Sequence, residues 1–342
     1  MAPLPKSVEI IAEHVLTQLT NSKNRPLFVA LQGPQGSGKS YTADLLAAHL
    51  SAPPHALRVA QLSIDDLYLP HDALVALAKT GNPLWRGRGQ PGTHDVELGV
   101  QLLTKLKEGK EKVELPRFEK SLFNGEGDRL PMDGTGPVVQ PPVDVVLLEG
   151  WCTGFYPITI EELEQRWDSH WREERVRLGL EDNELGTMDH VIAINDALKK
   201  YVKLWEFFDV FVQLVPAPTE ASPYAVIYKW RLEQEHNMKA KNGGKGMTDE
   251  AVKKFVDRYI PGYVFFSDGV TDGLVGRVEG VDVPLKADNA PAKATETLPT
   301  PTDAPSEDDD KPRQPTHPPS WRGRGLRLII APDRSVVGME HF

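Results

Sequence analysis

Cys152 is the only cysteine among 342 residues, so no internal disulfide can form and no cysteine-based zinc cluster can be built. Nowhere do 18 apolar residues run together, which removes a helical membrane span. The opening stretch MAPLPKSVEIIAEHVLTQL lacks the unbroken apolar core of a secretory signal. Basic residues are the minority charge, 39 against 49 acidic, for a formal net charge of −10. A chain of that sign has little attraction for a phosphate backbone, so no nucleic-acid partner is expected. These absences lead to an expectation of a cytoplasmic protein with no membrane contact, nuclear access being left open. Ordinary proportions of hydrophobic (40%) and charged (26%) residues exclude a wholly disordered chain. Glycine and proline are not scarce: 28 and 29 residues, about one in six.

Along the chain, short apolar strands alternate with amphipathic helices. Val8, Ile11, Val15 and Leu19 recur at helical spacing, which predicts a helix over 7–20. PLFVALQ reads as a strand and YTADLLAAHL as the helix after it; ALRVAQLSI is a second strand. VELGVQLLTKLKEG is a helix stopped by glycine, KVELPRF a short strand, and 121–142 a loop or hairpin. VDVVLLEG has the β-branched, apolar character of a buried parallel strand. Helices are expected over 161–180, DHVIAINDALKKYVKLWEFF, AVIYKWRLEQEHNMKA and TDEAVKKFVDRYI, the last capped by Thr248; DVFVQLVPA is a further strand. This alternation favours a three-layer α/β/α fold around a mainly parallel sheet. Residues 286–320 break it, with eight prolines, no aromatic residue and seven acidic residues. Such a stretch buries too little apolar surface to offset chain ordering, so it is expected to be a disordered insertion open to protein contacts. The domain expectation is therefore 1–285 as one unit, completed by a strand or hairpin from 321–342.

Gly33-Pro34-Gln35-Gly36-Ser37-Gly38-Lys39-Ser40 fits G-x-x-x-x-G-K-[ST] and lies between a predicted strand and a predicted helix. That setting points backbone N–H groups at a polyphosphate. Gly33, Gln35, Gly36, Ser37, Gly38, Lys39, Ser40 and Tyr41 are the candidate ATP contacts, with Lys39 reaching the β and γ phosphates and Ser40 ligating Mg²⁺. Asp65 and Asp66 follow the second strand, where a carboxylate could take the proton of an incoming hydroxyl. Asx turns and helix caps are the structural alternative for both. Glu149 ends its strand and is placed to hold the metal shell. Arg86, Arg88 and His94, with Arg117, Lys120 and Arg129, offer groups that could wrap a small anionic acceptor, each also readable as a surface charge. Arg231 suits a lid that neutralises the transferring phosphoryl, or an ion pair with Glu235.

GPQGSGKS, SIDDLYLP, RGRGQPGTHD, LPRFEKS with GEGDR, LLEGW, INDALKKY, KWRLEQE and FVDRYIPGY occur in that order. With them the chain resembles the P-loop small-molecule kinases related to uridine kinase, phosphoribulokinase and pantothenate kinase, and within these the plant and fungal D-glycerate 3-kinases. The resemblance runs from about Pro26 to Tyr263 and resumes at Leu326. It implies ATP and Mg²⁺ as cofactors and γ-phosphoryl transfer to a hydroxyl of D-glycerate. It implies Asp65 as base, with Asp65 and Glu149 at the metal, Arg231 as lid arginine, and Asp66, Tyr68, Arg86, Arg88 and His94 at the acceptor. The plant enzymes carry a chloroplast transit peptide that is not visible here, and 286–320 departs from the family pattern. Other small acceptors, such as a nucleoside or pantothenate, and a non-catalytic ATP-binding regulator are the alternatives.

Overall fold

A computed structural model describes residues 3–180, 185–219, 222–241, 243–281 and 316–342. The central sheet is built from β1 (Leu27–Gln32), β2 (Val59–Ser63), β7 (Val145–Gly150), β8 (Val210–Pro216), β9 (Gly325–Ile330) and β10 (Val336–His341). Two short ribbons lie apart from it, β3 (Val113–Glu114) with β6 (Val138–Val139), and β4 (Phe118–Glu119) with β5 (Asp128–Arg129). The sheet order is β10-β9-β8-β1-β7-β2, parallel except for the β9–β10 hairpin.

Strand β1 shows why there are three layers. All six of its residues are buried, and side chains alternate across the pleat. Leu27, Val29 and Leu31 pack with α1 (Lys6–Asn21) and α2 (Lys39–Ser51) on one face. Phe28 and Ala30 join the opposite core, with Leu102, Leu103 and Leu106 of α3 (Val96–Glu108). The helix Met188–Trp205 adds Val191, Ile194, Leu198 and Tyr201 to that same core. Each Leu, Val or Phe so buried contributes roughly 1.5–3 kcal/mol against exposure, which fixes the register. In α1 the helical stripe is the one read from the sequence, with Val8, Ile11, Val15 and Leu19 buried.

Three expectations change. The predicted strand KVELPRF is split into β3 and β4, because Pro116 has no N–H to donate to a ladder. The single helix over 161–180 is instead Ile160–Arg166 and Arg172–Leu178, joined by a π-helical turn at Trp167–Trp171. That turn swings the Trp167 and Trp171 rings to within 6.2 and 5.9 Å of Phe265. The proline-rich tract falls outside the described residues up to 315. Its last residues, 316–320, are packed rather than loose: the Ser320 hydroxyl donates to the Phe208 carbonyl at 2.7 Å, and His317 bridges Leu274. Composition missed this because Trp321, fully buried beside Phe211, anchors the segment from outside the tract. Among the described residues no helix is long and apolar enough to cross a membrane.

Candidate active site

The sheet changes winding direction at β1, and ligands of open α/β sheets sit at the carboxyl ends of strands beside such a point. The phosphate loop leaves β1 there and enters α2, whose N-cap Gly38 is left-handed at φ 88°. Gly36 also has positive φ, and a Cβ on it would stand 2.6 Å from Trp230 Cβ. Glycine is required because the helix Ala225–Lys241 packs directly on the loop.

Strand register assembles the acidic centre. Glu149 lies opposite Leu31 on one side and Ser63 on the other. Its buried Oε1 accepts from the Ser40 hydroxyl at 3.0 Å and the Ser63 hydroxyl at 2.7 Å. Glu149 Oε2 is buried without a partner among the described residues. An orphaned carboxylate oxygen beside a loop hydroxyl fits a hard divalent cation. Ser63, missed in the sequence reading, also caps the turn Ile64–Leu67 by accepting from the Asp65 amide at 3.2 Å. The S-x-D spacing of an ST turn was the signal available.

That turn separates the two aspartates. Asp65 Oδ2 pairs with Lys120 Nζ at 2.6 Å. Burial opposes ionisation, but Lys120 and Lys39 together hold the carboxyl well below the usual carboxylate range. Asp66 turns the other way and accepts from the Phe118 amide at 3.0 Å, tying β4 to the turn. Burial, only partly offset by that amide, pushes its pKa up. Asp65 is therefore held ionised, while Asp66 ties β4 to the turn through an amide distant in sequence, neither an Asx turn nor a helix cap.

The 86–95 loop runs against this turn: Leu69 N–H donates to Thr93 O at 2.9 Å and Asp95 N–H to Leu67 O at 2.7 Å. His94 is buried, stacks on Tyr68 with ring centroids 4.4 Å apart, and has its pKa lowered by burial to about 4. Tyr68 is hydrogen-bonded to Tyr259, a hydroxyl on which Asp65, Arg88 and Arg258 all act electrostatically. Arg258 was overlooked inside FVDRYIPGY; Phe255 has both its guanidinium (5.6 Å) and that of Arg231 (5.2 Å) near its ring centroid. Among the described residues neither Arg86 nor Arg258 has an ion-pair partner. Burial and the repulsion of Arg86 and Arg88 lower the Arg258 pKa.

Other predicted residues lie elsewhere or are already engaged. Arg88 donates to the carbonyls of Gly125 and Glu126, holding the 122–127 loop. Arg129 pairs with Asp95 at 2.8 Å, the N-cap of α3. Arg117 is exposed, and Tyr41 stands 65% exposed on α2. Arg231 pairs with the buried Glu235 at 2.9 Å, the ion pair foreseen as its alternative. Arg334, which no local signal announced, reaches in from the β9–β10 turn and donates from Nε to the Gly36 carbonyl at 2.8 Å.

A glycine-bounded phosphate loop, a carboxylate at the adjacent strand end and an ionised aspartate one strand further on define a P-loop kinase. No family model matches the chain. It is 35% identical over 285 residues to the probable ATP-dependent kinase TDA10 of Saccharomyces cerevisiae, covering 80% of this chain and 90% of that protein. It is 31% identical over 270 residues to the chloroplastic D-glycerate 3-kinase of Arabidopsis thaliana, covering 75% of this chain and 52% of that one. A solved D-glycerate 3-kinase from Cryptococcus neoformans superposes with TM-score 0.77 at 37% identity, over 99% of this chain and 100% of that chain. The chain belongs to the family of ATP-dependent kinases that contains these fungal and plant D-glycerate 3-kinases.

Proposed function

We propose that this kinase transfers the ATP γ-phosphoryl group to a hydroxyl of D-glycerate, giving 3-phosphoglycerate. The observation that carries the acceptor class is the mutual repulsion of Arg258 with Arg86 and Arg88, beside the Tyr259 hydroxyl on which Asp65 also acts. A small carboxylate would relieve their mutual repulsion, whereas an uncharged nucleoside would leave it in place. The names borne by the Cryptococcus and Arabidopsis relatives support the same acceptor.

In this reading the amides of Gly36, Ser37, Gly38, Lys39 and Ser40 cradle the phosphates, and Lys39 lies along the β and γ groups. Mg²⁺ would be held by Ser40, Glu149 and Asp65 and, when bound, offsets charge on the β and γ phosphates. Asp65 accepts the proton of the attacking hydroxyl as the oxygen–phosphorus bond forms and the bond to ADP breaks. Its low pKa makes it a weak base, which suits a loose transition state where positioning matters more than proton abstraction. An acceptor carboxylate competes for Lys120 and so frees Asp65 Oδ2 for the hydroxyl. Arg231 neutralises the moving phosphoryl once its pairing with Glu235 is exchanged. The chain acts in the cytoplasm, and the acidic tract within 286–320 is the segment through which any protein contacts would run.

Coupled ADP release across D-glycerate, L-glycerate, pantothenate, ribulose 5-phosphate and uridine tests the assignment. Turnover with D-glycerate is expected; activity confined to uridine would overturn it. Arg258→Ala should raise the acceptor KM about 10–100-fold while leaving the ATP KM unchanged, the range of a lost charged hydrogen bond.

A further inference from the structure

Tyr201 packs in the core on the helix Met188–Trp205 and reads from the sequence as filler. Its hydroxyl has two hydrogen-bonded neighbours, and the His94 backbone N–H also acts on it. The Gly92 backbone N–H donates to it at 2.9 Å, a direction that cannot be reversed. His94 Nδ1 lies 2.7 Å from the same oxygen. A phenol carries one proton, and a backbone amide cannot accept it, so the Tyr201 O–H is directed at Nδ1. Nδ1 is then the accepting nitrogen, and in a neutral imidazole the ring proton resides on Nε2.

Neutrality follows from the surroundings. The ring is buried, sandwiched between the faces and edges of Tyr68 and Tyr201, and no carboxylate hydrogen-bonds it among the described residues. Nε2–H, directed away from Tyr201, is buried with no partner among the described residues. An unmet buried donor costs about 1–3 kcal/mol, a deficit that a bound ligand oxygen removes. The backbone bridge between Tyr68 and His94 places this donor next to the turn carrying Asp65.

We infer that Tyr201 is a positioning residue: through Gly92 N–H and its own hydroxyl it fixes His94 as the Nε2–H tautomer, which donates to an oxygen of the acceptor. A neutral donor recognises a hydroxyl or carboxylate oxygen without adding another positive charge beside Arg88 and Lys120. The role of His94 at the acceptor rests on the glycerate reading above; its tautomer does not.

The test begins with two-bond proton–nitrogen correlation spectra of the full chain labelled with [¹⁵N]histidine, the His94 signals assigned by their loss in His94→Gln. Without substrate, a protonated Nε2 and a bare Nδ1 are expected; a protonated Nδ1 overturns the inference whatever the acceptor proves to be. Tyr201→Phe removes the donor and should shift His94 towards a tautomer mixture or the Nδ1–H form. It should also raise the acceptor KM about tenfold, with the ATP KM unchanged. His94→Gln, which keeps an amide donor near the Nε2 position, should retain more activity than His94→Ala. An unaltered tautomer and acceptor KM in Tyr201→Phe would refute the positioning role. With the wild-type tautomer confirmed, failure of D-glycerate as substrate would count against the acceptor reading alone.

Discussion

Replacing Gly36 by alanine tests how tightly the helix Ala225–Lys241 is seated on the phosphate loop. The backbone there has φ 76°, and a left-handed L residue costs about 1–2 kcal/mol. The new Cβ would stand 2.6 Å from Trp230 Cβ, 2.8 Å from the Trp230 carbonyl carbon and 3.0 Å from Arg231 N. Two of those three atoms are main chain and cannot rotate aside, so overpacking adds about 1–3 kcal/mol. Gly38→Ala supplies the control. Its φ of 88° carries the same backbone cost, but the nearest atom to its Cβ would be Arg334 Cδ at 3.8 Å, an ordinary contact. Gly36→Ala should therefore be the less stable of the two by about 1–3 kcal/mol, the overpacking part alone. Urea unfolding without nucleotide reads this as separated midpoints at equal slope. Coincident midpoints would refute the close seating of helix on loop, and with it the route by which Arg231 is held near the phosphate loop.

Three more outcomes follow from the geometry. Glu149→Gln should raise the Mg²⁺ concentration for half-maximal turnover about 10–100-fold with little change in urea midpoint, as titration of the metal against ADP release would show. His94 titrates near 6.5 when unfolded and near 4 when folded, so its stabilising effect is full above pH 6.5 and is lost as pH falls through that window. At about 1.4 kcal/mol per unit the loss reaches roughly 3 kcal/mol, and His94→Gln should flatten the fall of the urea midpoint with pH. Trp321→Ala removes a fully buried indole that donates to the Val270 carbonyl at 2.8 Å, and should destabilise the chain by about 3–5 kcal/mol in the same assay.

Local information carried the phosphate loop and the layer architecture. Gly36, Gly38, Lys39 and Ser40 lie within five consecutive positions whose backbone demands are written in the glycines themselves. The alternation of Leu27, Val29 and Leu31 with Phe28 and Ala30 needs two opposed cores, whatever packs there. The arginines were less legible. Whether Arg88, Arg129 or Arg258 meets a carbonyl, a carboxylate or nothing depends on segments distant in sequence, which no residue pattern near them records.

The sequence by itself thus determined that a triphosphate is held and that carboxylates stand beside it, because strand, loop and helix are contiguous. Only tertiary structure gave Asp65 and Asp66 different surroundings, by bringing Lys120 to one and the Phe118 amide to the other. It alone brought Arg258 to the 86–95 loop, Arg334 to Gly36 and Tyr201 to His94. The physical reason is the range of the interactions. Backbone conformation is set by neighbours along the chain, whereas the charge, tautomer and occupancy of a side chain are set by whatever folding brings within about 3–6 Å of it.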